Sequence, residues 1–230
     1  MEQYQNKFLD KKIVLFAPGP SLNDFDPKTI PGDYMKAGVN GVIIHDEFRD
    51  LDVYFWAGDL DTPRHPTPSE KPIRENLKHL KQKCLKFTNT TINKSPRHPM
   101  WGQTQILQQD AKNLGFETYD IIFGSKNEDS IDTWYTDPVK NGFDSCSISL
   151  AACQWLLYMG FSEIVLVGCD CTSQHSYKHL LPTDKCDWKL NQLVERWQRF
   201  KIFVEKYYKT IIRVVNPLGL IDVFPENIFP

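Results

Sequence analysis

Between Gly168 and Asp187 the chain reads GCDCTSQHSYKHLLPTDKCD, in which an acid, Asp170, precedes two histidines, His175 and His179, with Tyr177 between them. An imidazole titrates near neutral pH and can take a proton from a hydroxyl. A carboxylate at a strand end can position a hydroxyl or a metal, and a tyrosine can stack on a base or a sugar. Solvated loop histidines are the ordinary alternative. A second stretch, NGFDSCSIS from Asn141 to Ser149, places hydroxyl and acidic side chains (Ser145, Ser147 and Ser149 among them) ahead of a helical pattern. The unpaired N–H groups of a helix start attract anions; a plainly capped helix is the competing reading. A third, APGPS, puts Pro18, Gly19, Pro20 and Ser21 directly after an apolar run. There Gly19 admits close backbone approach, and Ser21 can cap a helix or donate to a phosphate. This turn has neither the dinucleotide fingerprint nor the Walker spacing. A fourth, WAGDLDTPRH, carries Asp59 and Asp61. Asp-x-Asp at a strand end can hold a divalent cation on a diphosphate, although a solvated turn is commoner for so short a motif.

These side chains need a scaffold. Short apolar, partly β-branched runs predict strands over 13–17, 35–40, 53–57, 84–88, 118–123, 163–168 and 211–216. Helical patterns predict helices over 72–83, 103–114, 147–159 and 188–208. The alternation points to an α/β fold: a single Rossmann-like domain over 1–230, with a mostly parallel sheet flanked by helices. All four stretches then follow strands or open helices, where open α/β sheets bind ligands. The four prolines between Asp59 and Pro72 make that connection irregular. The polar stretch over 171–187 reads as a lid loop.

Composition narrows the partners. Of 230 residues 41% are apolar and 13% aromatic, which excludes a disordered chain. A net charge of −2 argues against nucleic acid, which needs a concentrated basic surface. No apolar run approaches the ~20 residues that span a bilayer, and the N-terminal MEQYQNKFLDKK lacks an apolar signal region. A soluble, cytoplasmic protein is expected. The six cysteines follow no disulfide or zinc spacing and read as reduced structural residues, with a metal or redox role for Cys169 and Cys171 as the alternative.

Taken together, LFAPGPSL, then SISLAACQWLLYMGFSEIVLVGCD, then VVNP resemble the bacterial CMP-sialic-acid-dependent sialyltransferases that modify lipooligosaccharide. The order is also similar to the related superfamily that contains the archaeal 6-hydroxymethylpterin diphosphokinases. The helix–strand–Gly-x-Asp block is the most specific part. The resemblance implies a nucleotide-sugar site at Pro18, Gly19, Pro20 and Ser21, matching a Gly-x-Gly-Pro-Ser turn in which Ala17 replaces the first glycine and Pro18 a polar residue. It extends the site to Asn40, Asp59, Ser145, Ser147, Ser149, Gly168 and Asp170, and to Cys171 and Thr172, which stand where an aromatic pair is usual. Tyr177 joins them, and Asn216 and Pro217 fall in a segment that closes over the base. A lid histidine, His179 or His175, would be the general base.

The implied reaction is direct transfer of a sugar from a nucleotide-sugar donor, with a CMP-sugar favoured, to a glycan hydroxyl. No metal is then required. A diphosphokinase-like enzyme would instead use ATP with magnesium or manganese, with Asp59, Asp61 and Asp170 serving the metal. A third alternative is a non-catalytic nucleotide- or glycan-binding module. The resemblance also leaves room for a homo-oligomer.

Overall fold

The computed structural model describes residues 1–56, 70–90, 111–122, 134–141, 143–144, 147–171, 190–216, 218–227 and 229. Eight strands form one sheet: β1 (Lys12–Phe16), β2 (Tyr34–Val39), β3 (Val53–Trp56), β4 (Leu85–Thr90), β5 (Glu117–Ile122), β6 (Phe143–Asp144), β7 (Glu163–Val167) and β8 (Ile211–Val214). Their order is β6-β5-β4-β3-β2-β1-β7-β8, and every pairing is parallel. Described helices are α1 (Glu70–Asn76), α2 (Pro138–Asn141), α3 (Ile148–Tyr158) and α4 (Leu190–Tyr207). The α/β expectation holds, and the described sheet is parallel throughout rather than mostly so. Among the described residues no helix is long and apolar enough to cross a membrane.

The apolar runs are continuous because the central strands are covered on both faces. Ile13 and Leu15 of β1, with Ile164 and Leu166 of β7, face α3 and the aromatic side of α4. Val14, Phe16, Val165 and Val167 face the other layer, built from α1 and the 3₁₀ turns after β2. Ten of the eleven α3 residues, Ser149 through Tyr158, are buried. Such a helix needs no polar face, because the sheet lies under it and Trp197, Phe200 and Phe203 of α4 belong to the same core. Trp155 stacks on Phe87 of β4 with ring centroids 4.7 Å apart.

The helix expected over 72–83 forms earlier and ends sooner. It spans Glu70–Asn76 and tightens into a 3₁₀ turn, Leu77–His79. Asn76 shows why: its Nδ2 donates to the Pro72 carbonyl at 2.8 Å, and its Oδ1 accepts from Arg49 at 2.7 Å. A side chain that bonds the backbone and a neighbour in this way favours a helix end over a helix interior.

From β1 the chain runs outward through β2 to β6, then returns to β7 on the opposite side of β1. The β1/β7 boundary is therefore the topological switch point, and its carboxyl edge is where an open α/β sheet presents a ligand crevice.

Candidate functional site

Phe16 pairs with Val167 at the ends of β1 and β7, so Ala17 and Gly168 leave the sheet side by side. Ala17 N–H donates to the Val167 carbonyl, and Gly19 N–H to the Gly168 carbonyl, both at 2.8 Å. Two glycines allow this approach. A Cβ on Gly19 would lie 2.2 Å from the Gly168 carbonyl oxygen and 2.5 Å from Asp170 Oδ2. One on Gly168, whose φ is +75°, would lie 1.8 Å from the Ala17 oxygen.

Asp170 joins the two turns. Its Oδ2 accepts from Ser21 N–H at 2.7 Å and its Oδ1 from the Ser21 hydroxyl at 2.5 Å. Gly168 N–H donates to Ser21 Oγ at 3.1 Å. Asp170 is 2% exposed and Ser21 4%. The hydroxyl that Asp170 positions is thus one from the protein itself, and the Ser21 proton is committed to it. Ser21 does not cap a helix: the 3₁₀ turn Pro20–Asp24 opens at Gly19, with no side-chain cap. Burial raises the Asp170 carboxyl above its ordinary pKa, and the two Ser21 donors oppose that rise.

A third segment docks on the same strand end. Gly219 N–H donates to the Asp170 carbonyl at 2.8 Å. A Cβ there would meet the Asp170 and Cys171 carbonyl oxygens at 2.5 and 2.6 Å. Sequence reasoning missed Gly219; the available signal was a glycine just beyond Asn216 and Pro217, where backbone approaches backbone.

Ser147 is the N-cap of α3 and accepts from Ser149 N–H at 3.3 Å. The Ser149 side chain opposes the rise in the Cys169 thiol's pKa, which sets the start of α3 near the end of β7. Burial pushes the Cys169 thiol well above its ordinary pKa and that of Cys84 up to about 12. Both thiols stay protonated and unreactive at neutral pH. The four described cysteines, Cys84, Cys153, Cys169 and Cys171, are free.

Asn40, Cys171 and Asn216 follow β2, β7 and β8, and all three have left-handed backbone, with φ of 47°, 50° and 49°. Each such residue costs about 1–3 kcal/mol of strain, and such strain clusters at binding sites. Asn40 is held there by Tyr54, whose hydroxyl donates to its carbonyl at 2.8 Å. Gly19, Ser21, Ser147, Ser149, Gly168 and Asp170 thus gather at one strand-end edge. Pro18 and Pro20 are in the same turn, with Asn40, Cys171 and Asn216 at neighbouring strand ends. Asp59, Asp61, Ser145, Thr172, His175, Tyr177, His179 and Pro217 lie outside the described residues, as does the lid expected over 171–187 beyond Cys171. Among the described residues no three His, Cys, Asp or Glu side chains cluster as a metal site.

No protein-family model and no curated protein sequence matches the chain. Solved structures do. The sialyltransferase CstII from Campylobacter jejuni, in complex with the substrate analogue cytidine-5'-monophosphate, aligns with a TM-score of 0.57 at 16% identity, over 96% of this chain and 86% of its own. The monofunctional alpha-2,3-sialyltransferase Cst-I from Campylobacter jejuni gives 0.58 at 15% identity, over 95% and 81%. CstII in complex with a trisaccharide acceptor and CMP gives 0.57 at 14%, over 95% and 87%. At such identities the likeness shows a shared fold, and folds host many functions.

Proposed function

We propose that this chain is a sialyltransferase-like glycosyltransferase whose nucleotide-sugar donor, a CMP-sugar, binds at the carboxyl edge of β1 and β7. The observation that carries the reading is the Ser21–Asp170–Gly219 junction. It draws three segments far apart in the chain onto one strand end at the topological switch point. The fold shared with Cst-I and with CstII, the latter solved with CMP and with a trisaccharide acceptor, supports the same reading.

In this reading the first-turn N–H groups of α3 meet the nucleotide phosphate, and the half-buried Pro18–Gly19 turn, whose Gly19 N–H is held by the Gly168 carbonyl, lines the donor beside them. Ser21 and Asp170 are positioning residues: they hold the turn rather than touch the donor. The acceptor hydroxyl gives its proton to His179 or His175 and attacks the anomeric carbon as the bond to the nucleotide phosphate breaks. The leaving CMP departs with the bonding electron pair, and its charge is stabilised by N–H donors already in place. A nucleoside monophosphate leaving group needs no metal, so the reaction proceeds in EDTA. Asn216 and Pro217 close over the base.

The test is an incubation of the purified chain with CMP-N-acetylneuraminic acid and a trisaccharide acceptor in EDTA, read by mass spectrometry. A product heavier by one sialyl residue, with release of CMP, is expected. Consumption of ATP on a pterin alcohol with strict magnesium dependence, and no glycan product, would replace this reading with the diphosphokinase one.

A further inference from the structure

A second place on the sheet's carboxyl edge holds polar groups with nothing to bond. Trp56, the last residue of β3, is 1% exposed, and its indole Nε1–H has no hydrogen-bond partner. Arg74 of α1 lays its guanidinium over that indole, with Cζ 5.4 Å from the ring centroid. The Arg74 Nε–H is also shut off from solvent and lacks a partner. None of the ion pairs among the described residues includes Arg74.

An arginine stacked on an indole is a stable arrangement in its own right. Two buried N–H groups without acceptors beside that stack are unusual, since buried polar groups nearly always find partners. Both groups are donors, so the missing party is an acceptor, and the guanidinium charge favours an anionic one. The guanidinium carbon lies 5.4 Å from the indole centroid, so the two unpartnered donors belong to side chains in direct contact.

We propose that Trp56 and Arg74 form an anion subsite that takes a carboxylate or phosphate group of the donor. This rests on the nucleotide-sugar reading above and extends it. β3 lies two strands from β1, so the subsite is about 10 Å from the Gly19 turn at the usual strand spacing. That separation falls within the length of one nucleotide sugar. A donor gripped at both places lies along the carboxyl edge from β7 and β1 toward β3.

Calorimetric titration of the full chain in EDTA tests this, with cytidine, CMP and CMP-N-acetylneuraminic acid as probes. Wild type is compared with Arg74→Ala, Arg74→Lys and Trp56→Phe. A charged hydrogen bond lost at such a site weakens binding about 10- to 100-fold. Loss confined to CMP-N-acetylneuraminic acid assigns the anion to the sugar carboxylate. Equal loss for CMP, with cytidine unchanged, assigns it to the phosphate. Wild-type affinity for all probes in the variants overturns the subsite and leaves the proposed function standing. If wild type binds no cytidine nucleotide, the proposed function fails. The subsite then rests on thermal shifts with inorganic phosphate and free N-acetylneuraminic acid: a shift lost in Arg74→Ala retains it, and no shift overturns it. Arg74→Lys and Trp56→Phe keep the comparison decisive should Arg74→Ala fail to fold.

Discussion

Replacing Ser21 with alanine removes one oxygen and leaves two buried groups exposed to each other without it. Asp170 Oδ1 loses the hydroxyl that donates to it, and Gly168 N–H loses its acceptor; only Ser21 N–H still reaches Asp170 Oδ2. A hydrogen bond to a charged acceptor contributes about 1.5–3 kcal/mol, and an orphaned buried N–H costs about 1–3 kcal/mol. We take about 3 kcal/mol as the sum, since some relaxation is unavoidable. At about 2–4 °C per kcal/mol for a chain of this size, the melting temperature falls by about 6–12 °C. The pH dependence has a definite sign. Burial raises the folded-state pKa of Asp170 above the ordinary 3.8, against the pull of the Ser21 hydroxyl. The stability Asp170 lends is therefore fully present below 3.8 and is lost as pH rises through the folded value. Removing the hydroxyl removes an opposing pull and raises that value further, so more stability is lost by neutral pH. The penalty of Ser21→Ala thus grows between pH 4 and pH 7. Thermal melts and urea titrations of wild type and variant across that range measure it. A melting temperature within about 2 °C of wild type, or a penalty that shrinks as pH rises, refutes the account of this junction.

Gly168→Ala combines a left-handed backbone with a Cβ 1.8 Å from the Ala17 oxygen; it loses at least about 3 kcal/mol of stability in urea titration. Ser147→Ala removes the α3 cap and costs about 1 kcal/mol, read as a fall of about 2–4 °C in melting temperature. His179→Ala or His175→Ala, whichever is the base, lowers kcat about 10²- to 10⁴-fold in the transfer assay while CMP still binds. Full turnover by both variants removes histidine from the mechanism.

Much of the scaffold is legible before folding because local chemistry determines it. β1 and β7 are unbroken apolar runs, as strands covered on both faces must be. Ser147 is a recognisable cap, and Gly160, with φ of +90°, ends the helical stretch that it opens. Strand ends drift: the runs predicted over 13–17 and 163–168 stop at Phe16 and Val167. There Ala17 and Gly168 continue the apolar or small-residue pattern while their backbones turn out of the sheet. The two-residue β6 and the four-residue α2 are too short to show any periodicity. The junction itself is the least legible part. Ser21 and Asp170 stand 149 residues apart, and nothing near either one says that a hydroxyl read as a phosphate donor gives its proton to a carboxylate instead. Arg74 and Trp56 are hidden for the same reason, since only the packing of α1 on the sheet brings them together.

The central claim is that the carboxyl edge of β1 and β7 holds a CMP-bearing donor without metal. Melting temperatures of the full chain with CMP, UDP, GDP and ATP, each in EDTA and in magnesium, test it most directly. The account predicts that CMP in EDTA stabilises the chain by about 2.7 kcal/mol at a hundredfold excess over Kd, a rise of about 5–11 °C. Stabilisation only by UDP, GDP or ATP with magnesium present, or by no nucleotide at all, contradicts it.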